Sequence, residues 1–196
     1  MRKKMIRNKV LWKNNQQQYG LLSKCIHWLS ALSVFSLFAL GYWMVELDYS
    51  SLWYQRAPHW HESIGVLLLI VSLFRLFWRR IAGSPVALAS HSAIEKKASA
   101  TVILCLYLGL FTVLFSGYLI TSANDEPIAV FDWFSVPQIV LAIKNQEDIA
   151  GLVHFYVAYG LVCIALLHAL AALKHHFIDK DSTLKRMTVN DIQLNK

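Results

Sequence analysis

The sequence has few charged residues and none of the common cysteine motifs. Only 16% of its 196 residues are charged and 56% are apolar, whereas soluble domains carry about 25% charge. This balance excludes a disordered chain and an ordinary soluble domain. Its three cysteines form no C-x-x-C or C-x-x-C-H motif, which excludes zinc binding or covalent cofactor attachment of those types. The chain also has no Gly-rich phosphate loop, internal repeat or low-complexity tract.

Long apolar stretches are the main feature that the sequence does have. Each is close to the ~20 residues that a helix needs to cross the hydrocarbon of a bilayer. Since hydrocarbon offers no partners to free backbone N–H and C=O groups, all of them are predicted to be helices. The stretches lie at about residues 26–45, 64–78 with their flanks, 98–120 and 149–173.

The basic residues are concentrated on one side of these predicted spans. Both termini and the second connection, together with Arg75 near the end of the second span, hold 17 basic and 4 acidic residues, a net charge of +13. The first and third connections hold 2 basic and 8 acidic residues, a net charge of −6. Under the positive-inside rule the N- and C-termini are cytoplasmic. The fold class predicted is therefore all-α, an integral membrane up-down four-helix bundle, and the basic charge does not indicate nucleic-acid binding.

This topology divides the chain into three parts. We expect a basic cytoplasmic tail at residues 1–20, a transmembrane domain at 21–178 and a second cytoplasmic tail at 179–196, with both tails loosely ordered. The first span is too long for a removable signal peptide and is predicted to stay uncleaved. The connection at about 121–148 is predicted to be an outer loop on the membrane interface.

Four of the eight histidines fall at matching depths in the predicted spans. His154 and His168 are 14 residues apart on one helix, so they share a face and lie about 21 Å apart along the axis. His61 lies about one turn into the second helix and should face His154 near the outer surface. His27, at the inner start of the first helix, should face His168.

Two stacked histidine pairs are what two haems with two axial histidines each require, because a planar porphyrin needs ligands from opposite sides. The alternative for each histidine is a hydrogen-bonded side chain in the helix interior. Small residues near the four histidines would clear the porphyrin faces, although they also favour close helix packing; they are Ala31, Gly65, Gly151, Ala158, Ala165 and Ala172.

Two assignments among the remaining candidates depend on local detail. The choice of His61 over His59 depends on where the second helix begins, and the other histidines, His91, His175 and His176, are predicted to be polar interface residues. Arg75 follows His61 by 14 residues and returns to nearly the same face at the depth of the inner pair. It could pair with haem propionates, hold a quinone carbonyl, or extend to the inner surface beside Arg79 and Arg80.

With these residues identified, the sequence resembles the bacterial cytochrome b561 family, in particular its short four-helix membrane cytochromes of the superoxide oxidase type. The resemblance covers about residues 20–187. It is carried by Ile26-His27-Trp28, by His61-Glu62-Ser63-Ile64-Gly65 with Arg75 further along, by His154 and His168, and by Lys174-His175-His176 with the block from Lys180 to Met187. One departure is that Ala100 and Ile103 stand where the family often has histidines in the third helix.

The resemblance implies two haem b groups, bound by His27 with His168 and by His61 with His154, in a bacterial inner membrane. It further implies that superoxide on the outer side gives electrons that reach a ubiquinone-type quinone near the inner haem. Candidate quinone residues are Lys24, Trp28 and Arg75, which combine cations and an aromatic face. The net charge of −6 on the outer side, however, would slow the approach of a superoxide anion.

Two other functions remain open from the sequence. A haem-bearing membrane anchor subunit would collect electrons from a partner dehydrogenase or cytochrome, and acidic outer connections would suit a basic partner. A non-redox transporter would use the histidines to bind metal directly. Histidine pairs about 21 Å apart make a poor single metal site, because zinc is usually held by four ligands together.

Overall fold

The computed structural model describes residues 11–123, 126–141 and 144–189. Parts of both predicted tails, at 1–10 and 190–196, and parts of the predicted outer connection, at 124–125 and 142–143, lie outside the described residues. All four apolar stretches fall inside long helices, as predicted. These are α1 (Leu21–Met44), α2 (Arg56–Ala82), α3 (Ala93–Ser122) and α4 (Gln146–Phe177), followed by the short α5 (Lys185–Thr188).

Three of the long helices are long and apolar enough to cross a membrane, namely α1, α3 and α4. Most of their apolar surface is exposed in the isolated chain; within the most apolar window of α4 only 6% of residues are buried. Apolar surface of this extent marks contact with lipid. Helix α2 differs in composition because it carries charged residues along its length, including Arg75, Arg79 and Arg80.

The long helices pack side by side in a closed ring. Helix α1 contacts α2, α2 contacts α3, α3 contacts α4, and α4 contacts α1. Each helix contributes one leucine to a buried central layer, and these are Leu37, Leu68, Leu110 and Leu161. On α4 this layer lies midway between His154 and His168, seven residues from each, so it separates two levels of the structure. We call the level of His168 the inner end and that of His154 the outer end.

The chain is mostly helical, as predicted, but the connection between α3 and α4, predicted as a loop, contains a small β-hairpin. Strand β1 (Ile128–Val130) pairs antiparallel with β2 (Phe134–Val136). The hairpin is fixed to α2 by the buried Ser63, whose Oγ accepts a hydrogen bond from the Phe131 backbone N–H at 2.9 Å and donates to the Ala129 carbonyl at 3.4 Å. Since the first and last residues of β1, Ile128 and Val130, are buried, this part of the connection packs onto the helices.

The described part of the N-terminal tail is packed against the helices, in contrast to the loose order expected for it. The Asn14 Oδ1 accepts hydrogen bonds from the Gly20 backbone N–H and the Ser23 hydroxyl, and the Asn14 Nδ2 donates to the Gly83 carbonyl at 2.7 Å. Gly83 ends α2 with a positive φ of 69°, a conformation that glycine adopts without steric cost. Residues 11–20 therefore tie the start of α1 to the end of α2.

Residues 180–189, which we call the C-terminal strap, also pack on the inner end. The Trp28 Nε1–H donates to the Met187 carbonyl at 3.0 Å, and the Lys24 ammonium donates to the Val189 carbonyl. The strap thus crosses from the end of α4 to the first turns of α1. The Arg186 Nη1 also donates to the Val86 carbonyl at 2.6 Å, so this tail too is packed against the rest of the chain where the structure describes it.

Candidate functional site

Two imidazoles face each other at the outer end, as their depths predicted. The ring centres of His61 and His154 are 6.0 Å apart, with the rings inclined at 67°. The His154 Nδ1–H donates to the Val113 carbonyl at 2.8 Å. A proton held at Nδ1 leaves the lone pair of Nε2 available to a metal. The Nδ1 of His61 is buried and has no hydrogen-bond partner in the described part of the chain.

Two glycines on neighbouring helices make room for these rings. A Cβ atom on Gly117 would lie 2.9 Å from His154 Cε1, and one on Gly41 would lie 3.1 Å from His61 Cε1. Both distances are shorter than ordinary van der Waals contact, so any larger residue would displace the ring. The sequence analysis missed both glycines. They could have been found, because a glycine inside a helix costs about 1 kcal/mol relative to alanine. A helix that keeps such a glycine usually does so for close packing.

A cavity of about 520 Å³ opens between the helices at the outer end and is lined by both histidines. Cofactor pockets typically measure about 300–1,000 Å³. Gly65, Gly151 and Ala158, which were predicted to clear space beside the ligands, all line this cavity. A Cβ added to Gly65 or Gly151 would meet nothing within 4 Å, so open space is present where a flat ring system would need it.

The second pair of imidazoles lies at the inner end. The ring centres of His27 and His168 are 6.5 Å apart, with the rings inclined at 75°. The Arg75 Nη2 donates to His27 Nδ1 at 2.9 Å, and the Arg75 Cζ lies 5.4 Å from the centre of the Tyr107 ring. Arg75 therefore turns toward the inner histidine pair, and Arg79, one turn further along α2, has its Cζ 5.9 Å from the centre of the same Tyr107 ring.

The separation of both pairs fits an iron ion held between two imidazoles. A metal–imidazole bond is about 2 Å long and the ring centre lies about 1 Å beyond the nitrogen, so two axial histidines have ring centres about 6 Å apart. At the outer pair, His154 carries its proton on Nδ1, so the lone pair of its Nε2 is available to the iron. At the inner pair a guanidinium can only donate, so His27 Nδ1 accepts and its Nε2 carries the proton. Ligation through Nε2 therefore requires Arg75 to leave Nδ1.

The residues predicted to bind quinone gather near the inner pair. The Trp28 ring centre lies 5.4 Å from that of His27, and Arg75 contacts His27 directly. Lys24 is buried one turn before Trp28 on α1. Lys24 and Trp28, which were predicted to donate hydrogen bonds to a quinone, instead donate to carbonyls of the C-terminal strap.

The remaining histidines take other positions. His59 contacts the Phe131 ring at 6.1 Å, so His61 and not His59 is the residue brought to His154. His91 and His175 were predicted to be separate interface residues, but the structure brings their ring centres to 4.7 Å of each other. No sequence pattern predicts this contact, because His91 belongs to a connection and His175 to the end of α4.

Comparison with known proteins identifies the family. The chain matches the model described as prokaryotic cytochrome b561 over residues 18–190. The chain belongs to the prokaryotic cytochrome b561 family. It is 47% identical over 174 residues to cytochrome b561 homolog 2 of Escherichia coli (strain K12), covering 89% of this chain and 93% of the relative. It is 26% identical over 173 residues to cytochrome b561 homolog 1 of the same organism, covering 83% and 92%.

This membership confirms the resemblance to the cytochrome b561 family that was predicted from the histidines and the motifs around them. A cytochrome of the b type is a haem protein that transfers electrons, with haem held by protein side chains such as histidine. Together with three membrane-capable helices, the family makes this chain a bacterial membrane cytochrome. The matched region contains both histidine pairs and the whole C-terminal strap.

Proposed function

We propose that this cytochrome is a di-haem b-type protein of the bacterial inner membrane that passes electrons from an outer donor to a membrane quinone near its inner end. The observation that carries the proposal is the presence of two facing imidazole pairs, at 6.0 and 6.5 Å, on two levels of the helices. His61 with His154 would hold the outer haem. His27 with His168 would hold the inner one.

The membrane arrangement follows from helix length and charge. Helix α2 has 27 residues and is about 40 Å long, enough to span the hydrocarbon core. Its Arg75 faces the helix interior, and Arg79 and Arg80 lie in its last turn, where an inner membrane surface would solvate them. We therefore propose four spans in an up-down bundle, with both termini on the cytoplasmic side.

The side chains around each pair orient the ligands. The haem iron, when bound, supplies the one-electron redox change. The Val113 carbonyl holds the His154 proton on Nδ1, which leaves Nε2, on the other side of the ring, without a proton. The central leucine layer fills the region between the two levels with apolar side chains. At the inner level, release of Arg75 from His27 would give its guanidinium five free donors for a carboxylate or a quinone carbonyl.

The quinone site is proposed at Lys24, Trp28 and Arg75. A quinone has two carbonyl oxygens, and two carbonyls of the C-terminal strap occupy the donors of Lys24 and Trp28. A bound quinone would replace these strap carbonyls with its own. Because an electron moving inward works against a negative-inside potential, at about 2.3 kcal/mol per 100 mV for a full crossing, the quinone must be the stronger oxidant.

The electron donor is either superoxide or a redox partner protein. Superoxide is the donor implied by the family resemblance. The net charge of −6 on the predicted outer side favours the second candidate, an anchor subunit that receives electrons from a basic partner dehydrogenase or cytochrome. In both cases the chain's own residues bind haem and quinone in the same way.

Spectroscopy of the purified protein tests the cofactor content. We expect a low-spin b-type spectrum and two haems per chain, because each of the two imidazole pairs would hold one haem. Protein purified from haem-replete cells with one haem per chain, or none, would contradict the di-haem proposal.

Stopped-flow mixing with superoxide, with and without a quinone analogue, tests the donor and acceptor. Rapid haem reduction followed by quinone-dependent reoxidation supports superoxide as the donor. No reduction, together with copurification of a stable redox partner, supports the anchor subunit.

A further inference from the structure

A second group of potential metal ligands lies at the inner end, away from both imidazole pairs. The Asp181 Oδ2 is 2.9 Å from His91 Nε2 and 3.0 Å from His175 Nδ1. The three side chains are largely buried, with exposed fractions of 17% for His91, 15% for His175 and 11% for Asp181. They come from three separate segments: the connection before α3, the last turns of α4, and the start of the C-terminal strap.

The donor atoms match those of a transition-metal site. Two imidazole nitrogens and one carboxylate oxygen are preferred by borderline divalent ions such as Zn²⁺. In a tetrahedral site with bonds of about 2.0–2.1 Å, neighbouring ligand atoms lie about 3.3 Å apart. The Asp181 Oδ2 would have to move away from each histidine nitrogen by only a few tenths of an ångström, and all three ligand atoms lie within 4.8 Å of one another. Three protein ligands also leave a fourth position for water.

One of these donor atoms is not satisfied by hydrogen bonding. The Nδ1 of His175 is buried and makes no hydrogen bond of normal geometry in the described part of the chain, although oxygens of Asp179 and Asp181 lie 2.9 and 3.0 Å away. Buried polar atoms in native proteins nearly always have a partner, so such an atom needs an explanation. A metal ion between the nitrogen and the Asp181 oxygen would provide one.

Neighbouring groups hold the ligands in place. The Thr183 backbone N–H donates to Asp181 Oδ1 at 2.7 Å, which orients the carboxylate with its other oxygen toward the histidines. The nearby Lys174 ammonium is paired with Asp179 at 2.8 Å, which offsets its repulsion of a cation.

We propose that His91, His175 and Asp181 form a binding site for one divalent transition-metal ion of the Zn²⁺ class. The ion joins the C-terminal strap to the start of α3 and the end of α4. It is separate from the haem ligands, so the proposal does not depend on the proposed electron-transfer function. Its effect on the fold is to hold the strap, and with it the carbonyls of Met187 and Val189, at the inner end.

The test is a metal titration of the purified haem-loaded protein after dialysis against a chelator. Calorimetry with Zn²⁺, and visible absorption with Co²⁺, should show one tightly bound ion per chain. His91→Ala and the conservative Asp181→Asn should each weaken Zn²⁺ binding by more than about tenfold, since each removes a ligand. His176→Ala is the matched control, because His176 is the next residue on α4 and lies outside the group; it should bind Zn²⁺ as the wild type does.

Haem absorbance provides the folding control, because it should stay unchanged in every variant. In a second measurement, Zn²⁺ should slow amide hydrogen exchange in residues 180–189 of the wild type and not of Asp181→Asn. Equal Zn²⁺ affinity in the wild type and Asp181→Asn would overturn the proposal. An equal loss in His176→Ala would overturn it as well, since binding would then be due to unspecific surface histidines.

Discussion

The rings of His61 and His154 each lie against a helix backbone at a position that has no side chain. Gly41 and Gly117 provide these positions, and a methyl group at either would come within 3.1 Å of a ring atom. The His154 ring cannot move away freely, because its Nδ1 is bonded to the Val113 carbonyl. The fit between glycine and imidazole thus determines the orientation of the outer pair.

Substitution of Gly117 by alanine should therefore damage the outer haem site. The new Cβ would lie 2.9 Å from His154 Cε1 and push the ring from its place, so we expect partial loss of one haem and an altered spectrum of the remainder. Gly160→Ala is the matched control, because nothing lies within 4 Å of its Cβ position and alanine favours a helix by about 1 kcal/mol. The haem-to-protein absorbance ratio measures both variants, and equal ratios would argue against the proposed ligand geometry.

Removal of single histidines should separate the two haems. His154→Ala is expected to lose mainly the outer haem and His27→Ala mainly the inner one, each leaving about half of the absorbance per chain, since each iron needs both axial ligands. Redox titration of the remaining haem should give different midpoints in the two variants. If His168→Ala keeps both haems, the pairing proposed here is wrong.

At the scale of elements, the C-terminal strap and the β-hairpin were the features that the sequence did not predict. Helices could be predicted because a long apolar stretch in a bilayer has only one way to satisfy its backbone. The hairpin strands have three residues each, too few to show a reliable alternating pattern, and Ser63 holds them from a distant helix. The strap is held to α1 through the carbonyl oxygens of Met187 and Val189, and since every residue has a carbonyl, these two contacts leave no mark in the sequence.

Deletion of residues 187–196 should make the proposed quinone site easier to enter. The deletion removes the carbonyls that occupy the Trp28 and Lys24 donors, so we expect a lower KM for a soluble quinone analogue with little change in kcat. Steady-state quinone reduction measures both constants, and the haem spectrum checks that the helices remain folded. An unchanged or higher KM would show that the strap does not compete with quinone.

For the whole molecule, helical geometry made the two levels of the site predictable. His154 and His168 share a face of α4 because 14 residues bring the helix back to nearly the same direction, and the depth of their partners followed from the ends of the spans. The contact between His91 and His175 could not be predicted in this way. It depends on how a connection folds over the end of the helices, which periodicity does not determine.

The charge distribution of the whole chain predicts its orientation in the membrane. With +13 on one side and −6 on the other, the C-terminus should be cytoplasmic and the hairpin connection should lie outside. A fluorescent protein fused after residue 196 should fluoresce, and alkaline phosphatase inserted in the 126–141 connection should be active. The opposite pattern of the two reporters would reverse the proposed direction of electron flow.

Helix α4 carries one imidazole of each pair, with Leu161 halfway between them. A rigid rod that turns about its own axis swings every group on one face in the same direction. A small twist of α4 would therefore change the tilt of the rings at His154 and at His168 together. Because burial and hydrogen bonding around a haem set its reduction potential, replacement of Leu161 should shift the midpoint potentials of both proposed haems together.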